Sequence, residues 1–237
     1  MSKITLLKKW WIAIAALLVI VIVLIVWVVI SGDNRTSDTG LVNISDNTVA
    51  QKDILPTTTF KNGLGSWYEE VWYQPASSGG EVTTGSDGVT FTGVQANSKS
   101  GIMISLNQDV SSYSKVQVNV DGTVNEQTLP GTGLNGREAP VAIAVEYKSI
   151  DGVNHNLLGE DPSASGQMFW RGFYFMDSGS GYGITNGVKV TQNLPFSYSF
   201  DLMTLNPKPK TIESVSLEGA GWKTRVGSVS SISITAK

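Results

Sequence analysis

The sequence predicts an all-β domain, an antiparallel β-sandwich, preceded by a single transmembrane helix. Three observations predict it. Residues Trp10–Ile30 run for 21 positions without a charge, Pro or Gly. From Phe60 onward apolar residues recur at every second position, as in strands with one buried face. Turn signals separate those runs, and no helical periodicity follows the apolar segment.

The N-terminal run comes first. At about 1.5 Å per residue, 21 helical residues reach ~31 Å, the thickness of a bilayer's hydrocarbon core. Lys3, Lys8 and Lys9 precede it, while Asp33, Arg35 and Asp38 follow. That Lys bias places residues 1–9 in the cytoplasm and the C-terminal part outside the cell membrane. Trp10, Trp11 and Trp27 stand near the two ends, where indoles favour the headgroup zone. A cleaved signal peptide would have a shorter apolar region ending in small residues, whereas Val28-Val29-Ile30 is bulky. With no Cys there is no lipoprotein acylation site, and no GxxxG pattern marks a helix dimer. The expected arrangement is a single-pass signal anchor at 10–30, with the bilayer as its partner.

Residues 31–59 are polar and rich in Ser, Thr, Asn and Asp, and read as an extended stalk. Asn34-Arg35-Thr36 and Asn43-Ile44-Ser45 are formal glycosylation sequons. The domain is expected over 60–237. Strands are expected around Ile102–Leu106, Val116–Val120, Val141–Tyr147, Phe196–Leu202 and Ile232–Ile234, each with alternating polarity. Others are expected at Glu70–Gln74, Gly88–Thr92, Phe169–Met176 and Ser214–Glu218. Turns are expected at Gly79-Gly80, Ser86-Asp87-Gly88, Asp121-Gly122, Asp151-Gly152, Asn186-Gly187 and Asn206-Pro207. Two long loops follow, Gly122–Ala139 and Asn154–Gln167.

Composition excludes several classes. A net charge of −3 with 16% charged residues gives no attraction to nucleic acid and no disordered domain. Without Cys, an exported domain must be held by packing alone. His155 is the single histidine and no G-x-S-x-G elbow accompanies it. Neither H-E-x-x-H nor C-x-x-C spacing occurs. The Gly-rich run Gly179–Gly183 leads into no helix and reads as a turn rather than a phosphate cradle. Glu69, Glu70, Glu146, Glu160, Asp161, Asp177 and Asp201 are the acids a glycosidase would need in a close pair, and they form no cluster on one strand. The chain is not expected to be an enzyme.

The aromatics are the best functional material. Period two puts Trp72 on one face with Glu70, opposite Val71, and puts Trp170 and Tyr174 opposite Phe169 and Phe173. Flat aromatic faces beside polar groups suit the C–H faces of sugars. Trp72, Glu70, Trp170 and Tyr174 are therefore the candidate ligand-binding residues, expected to form an outward platform. Trp67 and Trp222 are assigned to the core. The same aromatics would also suit a protein interface, so an assembly subunit of a cell-envelope complex is the alternative. Glu69 and Asp201 would form a Ca²⁺ pair if the terminal strands brought them together.

The order Phe60…Gly63, Gly65-Ser66-Trp67, Asp87-Gly88-Val89-Thr90-Phe91, Phe200-Asp201-Leu202, Ile212–Leu217, Gly219–Trp222 and Val229–Ile234 resembles the galactose-binding-like jelly rolls of many carbohydrate-binding modules. The resemblance spans roughly residues 58–237. It implies a jelly-roll-like sandwich whose closing strand pairs back near the opening one, often with a structural Ca²⁺ and sometimes a glycan site.

Overall fold

The computed structural model describes residues 51–73, 80–93, 98–133, 136–152, 154–155, 169–178, 186–221 and 224–237, with backbone alone at 71–73 and 154–155. Among these residues no helix is long and apolar enough to cross a membrane. The expected span Trp10–Ile30, both sequons, Trp222 and most of the Asn154–Gln167 loop lie outside the described residues.

The period-two runs fold into strands packed in two layers. The strands are β1 (Lys52–Thr58), β2 (Tyr68–Tyr73), β3 (Gly80–Gly85), β4 (Gly88–Gly93), β5 (Ser98–Asp109), β6 (Val116–Gln127) and β7 (Val141–Ser149). They continue with β8 (Asn154–His155), β9 (Phe169–Tyr174), β10 (Gly187–Lys189), β11 (Pro195–Asp201), β12 (Pro209–Gly221) and β13 (Arg225–Ala236). The first sheet runs β11-β6-β13-β4-β3, with β1 also on β13. The second runs β10-β9-β7-β12-β5-β2, with β8 on β7. All pairings are antiparallel except β9 with β10.

Alternation delivers the core as expected. Val116, Val118 and Val120 of the first sheet lie in one core cluster with Ile143, Val145 and Leu217 of the second, all essentially without exposure. Burying each such side chain contributes about 1.5–3 kcal/mol. Trp67 is buried and meets Phe60 edge-on, with centroids 5.4 Å apart, in accord with its core assignment. At one margin Phe196 stacks on Phe173 at 4.2 Å, and Arg171 lies over the rings of Phe169 and Phe200.

Three expectations are corrected. The polar segment to residue 59 does not stay a stalk: Lys52–Thr58 is β1, paired with the closing strand, and Ile54 and Leu55 are buried. Pro56 and two register shifts broke the alternation that would have marked it. Second, Asp121-Gly122 is no turn. β6 runs through it because Gly122 admits the close approach of its neighbours: a Cβ would sit 2.4 Å from the Ser228 carbonyl oxygen of β13 and 2.9 Å from Phe196 Cζ. The Gly122–Ala139 loop therefore begins only after Gln127. Third, the run Phe196–Leu202 ends a residue early, since Asp201 caps a one-turn 3-10 helix at Leu202–Thr204. The Ser86-Asp87-Gly88 and Asp151-Gly152 turns occur as expected. Gly88 has φ +102°, and Gly152 donates its N–H to the Ser149 carbonyl at 2.9 Å.

Gln127 fastens the shortened loop. Its Nε2 donates to the carbonyls of Leu129 at 2.6 Å and Gly131 at 2.8 Å. Its Oε1 accepts from the amides of Phe175 at 2.8 Å and Met176 at 3.3 Å. Gln127→Leu removes all four bonds from a site only 6% exposed. The expected loss is on the order of 2–4 kcal/mol, as buried backbone groups lose partners. Urea unfolding measures it, with hydrogen exchange accelerated at Phe175; an unchanged midpoint would refute the clamp.

Candidate functional site: the outer face of the second sheet

Strand pairing assembles this face row by row. Trp170 lies opposite Ala144, Ala144 opposite Ser216, Ser216 opposite Met103, and Met103 opposite Tyr68. The next row is Gly172, Ala142, Glu218, Gly101 and Glu70. A third places Ala220 opposite Lys99, and Lys99 opposite Trp72. Paired residues point the same way, so these residue positions share the face turned away from the core.

The residues under Trp170 are small. With Ala142, Ala144 and Gly172 beneath it, the indole lies down on the sheet instead of standing off it. A Cβ at Gly172 would come within 2.8 Å of the ring's Cζ3. Ala139, Ala142, Ala144 and Trp170 form an apolar cluster separate from the main core. Once buried, the indole N–H needs an acceptor, and Trp170 Nε1 donates to Glu218 Oε1 at 3.0 Å.

Glu218 continues a polar relay. Its Oε2 lies 2.7 Å from Lys99 Nζ, and the same ammonium donates to Glu70 Oε2 at 3.2 Å. Side-chain exposure falls from 19% at Glu70 through 15% at Lys99 to 5% at Glu218. The relay thus starts near solvent at β2 and ends under the indole. Burial alone would pull the Lys99 pKa down; the facing carboxylates of Glu218 and then Glu70 outweigh it and hold it above the ordinary lysine value. Lys99 is therefore an ammonium at physiological pH.

Each expected site residue now has a place. Trp170 and Tyr174 do share the face opposite Phe169 and Phe173, but they do not form an open platform. Trp170 is 2% exposed and Tyr174 6% exposed. The cause is the small residues around them: Gly172 and the alanines for Trp170, Gly187 for Tyr174. Glu70 lies on the face as expected. Trp72 holds the register position opposite Lys99, and its side chain is outside the described residues.

Glu69 and Asp201 are not brought together. Glu69 is on β2 and Asp201 on β11, strands at opposite margins of the sandwich. The opening strand that pairs with β13 is β1, not β2. Asp201 Oδ1 instead accepts the amides of Val116 and Met203, each at 3.0 Å. This pair does not fit a Ca²⁺ ion. Among the described residues there is no group of three or more His, Asp or Glu placed to hold a metal. Of the other acids, Glu146 accepts from Ser214 at 2.5 Å and Asp177 pairs with Lys189. Glu160 and Asp161 lie outside the described residues.

Sequence reasoning missed Tyr68, Lys99 and Glu218. Tyr68 was within reach, since it lies two residues before Glu70 on the same period-two face, and it is 48% exposed. Lys99 and Glu218 each put a charge among small and apolar neighbours, Ser98-Lys99-Ser100-Gly101 and Leu217-Glu218-Gly219-Ala220, a signal of pairing that names no partner. Their meeting depends on β5 lying beside β12, which local sequence does not state.

No protein-family model matches this sequence, and a search of curated proteins finds no match. Among solved structures the chain is similar to carbohydrate-binding modules. One is a family 11 module from Clostridium thermocellum in complex with a β-1,3-1,4-mixed-linked tetrasaccharide. It is 13% identical, with a TM-score of 0.39, and the match covers 78% of this chain and 94% of that one. Another is the xylan-binding module CBM15, 11% identical, TM-score 0.41, covering 78% and 97%. A glycoside hydrolase domain of Endo-D from Streptococcus pneumoniae is 12% identical, TM-score 0.36, covering 71% of this chain and 21% of that one. At such identities and TM-scores these likenesses carry no argument about ligand or activity.

Proposed function

We propose that the chain is a membrane-anchored, extracytoplasmic, jelly-roll-like β-sandwich that binds a glycan without catalysis, at the β2–β5 margin of the second sheet's outer face. One observation carries this reading: the half-exposed Tyr68 ring shares a face with the accessible Glu70–Lys99 ion pair. A sugar presents an apolar C–H face and a rim of hydroxyls. A tyrosine face beside a carboxylate and an ammonium supplies a complement to both. The register position of Trp72, opposite Lys99, extends the same margin. Trp170 acts from the β9 side of the same face, holding Glu218 and through it Lys99.

Anchoring rests on the uncharged run Trp10–Ile30 and its lysine flank.

The test is a glycan array probed with the full-length chain in mild detergent. Tyr68→Ala, Trp72→Ala and Glu70→Gln are each expected to weaken the best glycan at least tenfold, about 1.4 kcal/mol, with Tm unchanged for Tyr68→Ala. A folded chain that binds nothing, or three variants that bind as the wild type does, would reject the reading. Parallel arms with EDTA and with added Ca²⁺ test a calcium role independently of Glu69 and Asp201. Retention of the chain in membranes after alkaline extraction, lost when residues 1–30 are removed, tests the anchor.

A further inference from the structure

β11 is an edge strand of a kind that folded chains usually avoid. It pairs with β6 over seven consecutive positions, Pro195 to Asp201, without a register shift. Among the described residues no strand pairs on its other side, and none takes up the backbone donors and acceptors facing that side. Exposed sheet edges are normally blunted by charge, Pro, bulges or shortness. The other described edges follow that rule. β1 carries Lys52, Asp53, Pro56 and register shifts; β2 carries Glu69 and Glu70; β3 carries Glu81; β10 is three residues long and ends in Lys189. β11 has no charge until its last residue, and that residue, Asp201, is occupied in capping.

The strand is also held stiff. Phe196 stacks on Phe173, Phe200 packs against Phe169 at 4.7 Å, and Tyr198 Oη accepts from Arg171 Nε at 3.1 Å. With the aromatics turned inward, Ser197 and Ser199 are exposed on the outer side. The edge is therefore flat, small-featured and pre-ordered, and little further ordering is lost when another strand joins it.

The occupant is indicated by the sequence of the strand itself. Phe196-Ser197-Tyr198-Ser199-Phe200 reads the same in both directions. Two antiparallel copies related by a two-fold axis through Tyr198 place Phe196 opposite Phe200, Ser197 opposite Ser199, and Tyr198 opposite itself. An antiparallel ladder admits such an axis at the centre of any residue pair, so the phase set by β6 imposes no conflict. Every pair is like with like and uncharged, and the Ser199 hydroxyl is already held by Asn119 and Gln117 of β6, so the ladder itself is formed by backbone groups. Pro195 at one end, which lacks an N–H, and the capping Asp201 at the other limit the ladder to this segment. We propose that β11 is a homodimerisation edge, at which two copies of this chain join their first sheets across a two-fold axis at Tyr198, an isologous interface.

The chain has no Cys, so introduced thiols report without background. Full-length Ser197→Cys and Ser199→Cys chains are prepared separately and mixed under mild oxidation. Directly opposite residues have Cα atoms about 4.5–5.5 Å apart, within disulfide range. The expected result is a cross-linked dimer in the mixture, at least tenfold more abundant than in either variant alone. In sedimentation, the wild type is expected to dimerise. The Ser197→Lys/Ser199→Lys chain, with lysine opposite lysine in both pairs, is expected to have a dimer Kd at least tenfold weaker at unchanged Tm. A monomeric wild type, cross-linking equal in all three samples, or a lysine variant that dimerises like the wild type would each overturn the proposal. The lysine variant leaves the second sheet's outer face untouched, so its glycan binding should be retained.

Discussion

Lys99→Met is expected to cost about 3–5 kcal/mol of folding stability, because it takes the contacting cation from a buried carboxylate. Glu218 is the reason. Its side chain is 5% exposed and held between Lys99 and the Trp170 indole. Removing Lys99 leaves that charge with only the Arg225 guanidinium, beyond ion-pair contact, for compensation, whereas Glu70, nearer to solvent, can rehydrate. Adding Glu218→Gln should recover much of the loss, since glutamine keeps an acceptor for the indole N–H and carries no charge. Urea unfolding of the two single variants and the double variant yields the coupling energy. A loss below about 1 kcal/mol for Lys99→Met would mean the relay contributes little.

The relay also predicts a pH dependence with a definite sign. The folded Lys99 pKa is raised above its ordinary 10.5. Its stabilisation is therefore fully present below about 10.5 and is lost as pH rises through the folded value. Tyr147, pushed up to about 12 by burial and then by Asp151, loses its contribution in the same direction between about 10 and 12. Burial pulls Arg225 down to about 10, and that effect runs the opposite way. Lys99→Met leaves the last two in place. Its stability should therefore fall less steeply than the wild type's above pH 10, and parallel curves would contradict the assignment.

Trp170→Ala is expected to cost about 3–5 kcal/mol, the range for losing a large buried aromatic. It opens space above Ala142, Ala144 and Gly172 and removes the hydrogen bond to Glu218. Trp170→Phe separates the two losses: it keeps much of the packing but has no N–H, and should cost about 1–3 kcal/mol. The ranking wild type, phenylalanine, alanine in chemical denaturation is the expected result. Alanine at wild-type stability would show that the indole is not part of the packed face. Glycan affinity should fall in parallel where Lys99 is displaced, since Trp170 holds the binding margin through Glu218.

Much of the sandwich could be read from the chain, and the limits of that reading have specific causes. Alternation located β6, β7 and β11, because each strand buries one face and period two follows directly. It failed at β1, where Pro56 and bulges interrupt the period. It also mistook Gly122 for a turn residue, since a glycine that admits Phe196 looks locally like one that admits a bend. At the site, the face of Trp170, Tyr174 and Glu70 was legible and the exposure was not. A strand's period says which side a residue points to, not what lies beside it on the neighbouring strands.

The sequence by itself determined the two-layer β architecture, the inward residues of most strands, the absence of disulfides, and the apolar run Trp10–Ile30 that predicts an anchor. The self-complementary segment Phe196–Phe200 is also written there, but only sheet order makes it an edge. Tertiary structure alone decided that β5 lies between β12 and β2, which joins Glu70, Lys99, Glu218 and Trp170 into one relay. It also separated Glu69 from Asp201 across the width of the sandwich. The physical reason is common to both. Period and composition act over a few neighbouring residues, while strand order is set by which long-range pairings bury the most surface together. Partners contributed by strands dozens of residues apart are therefore invisible until the sheets are assembled.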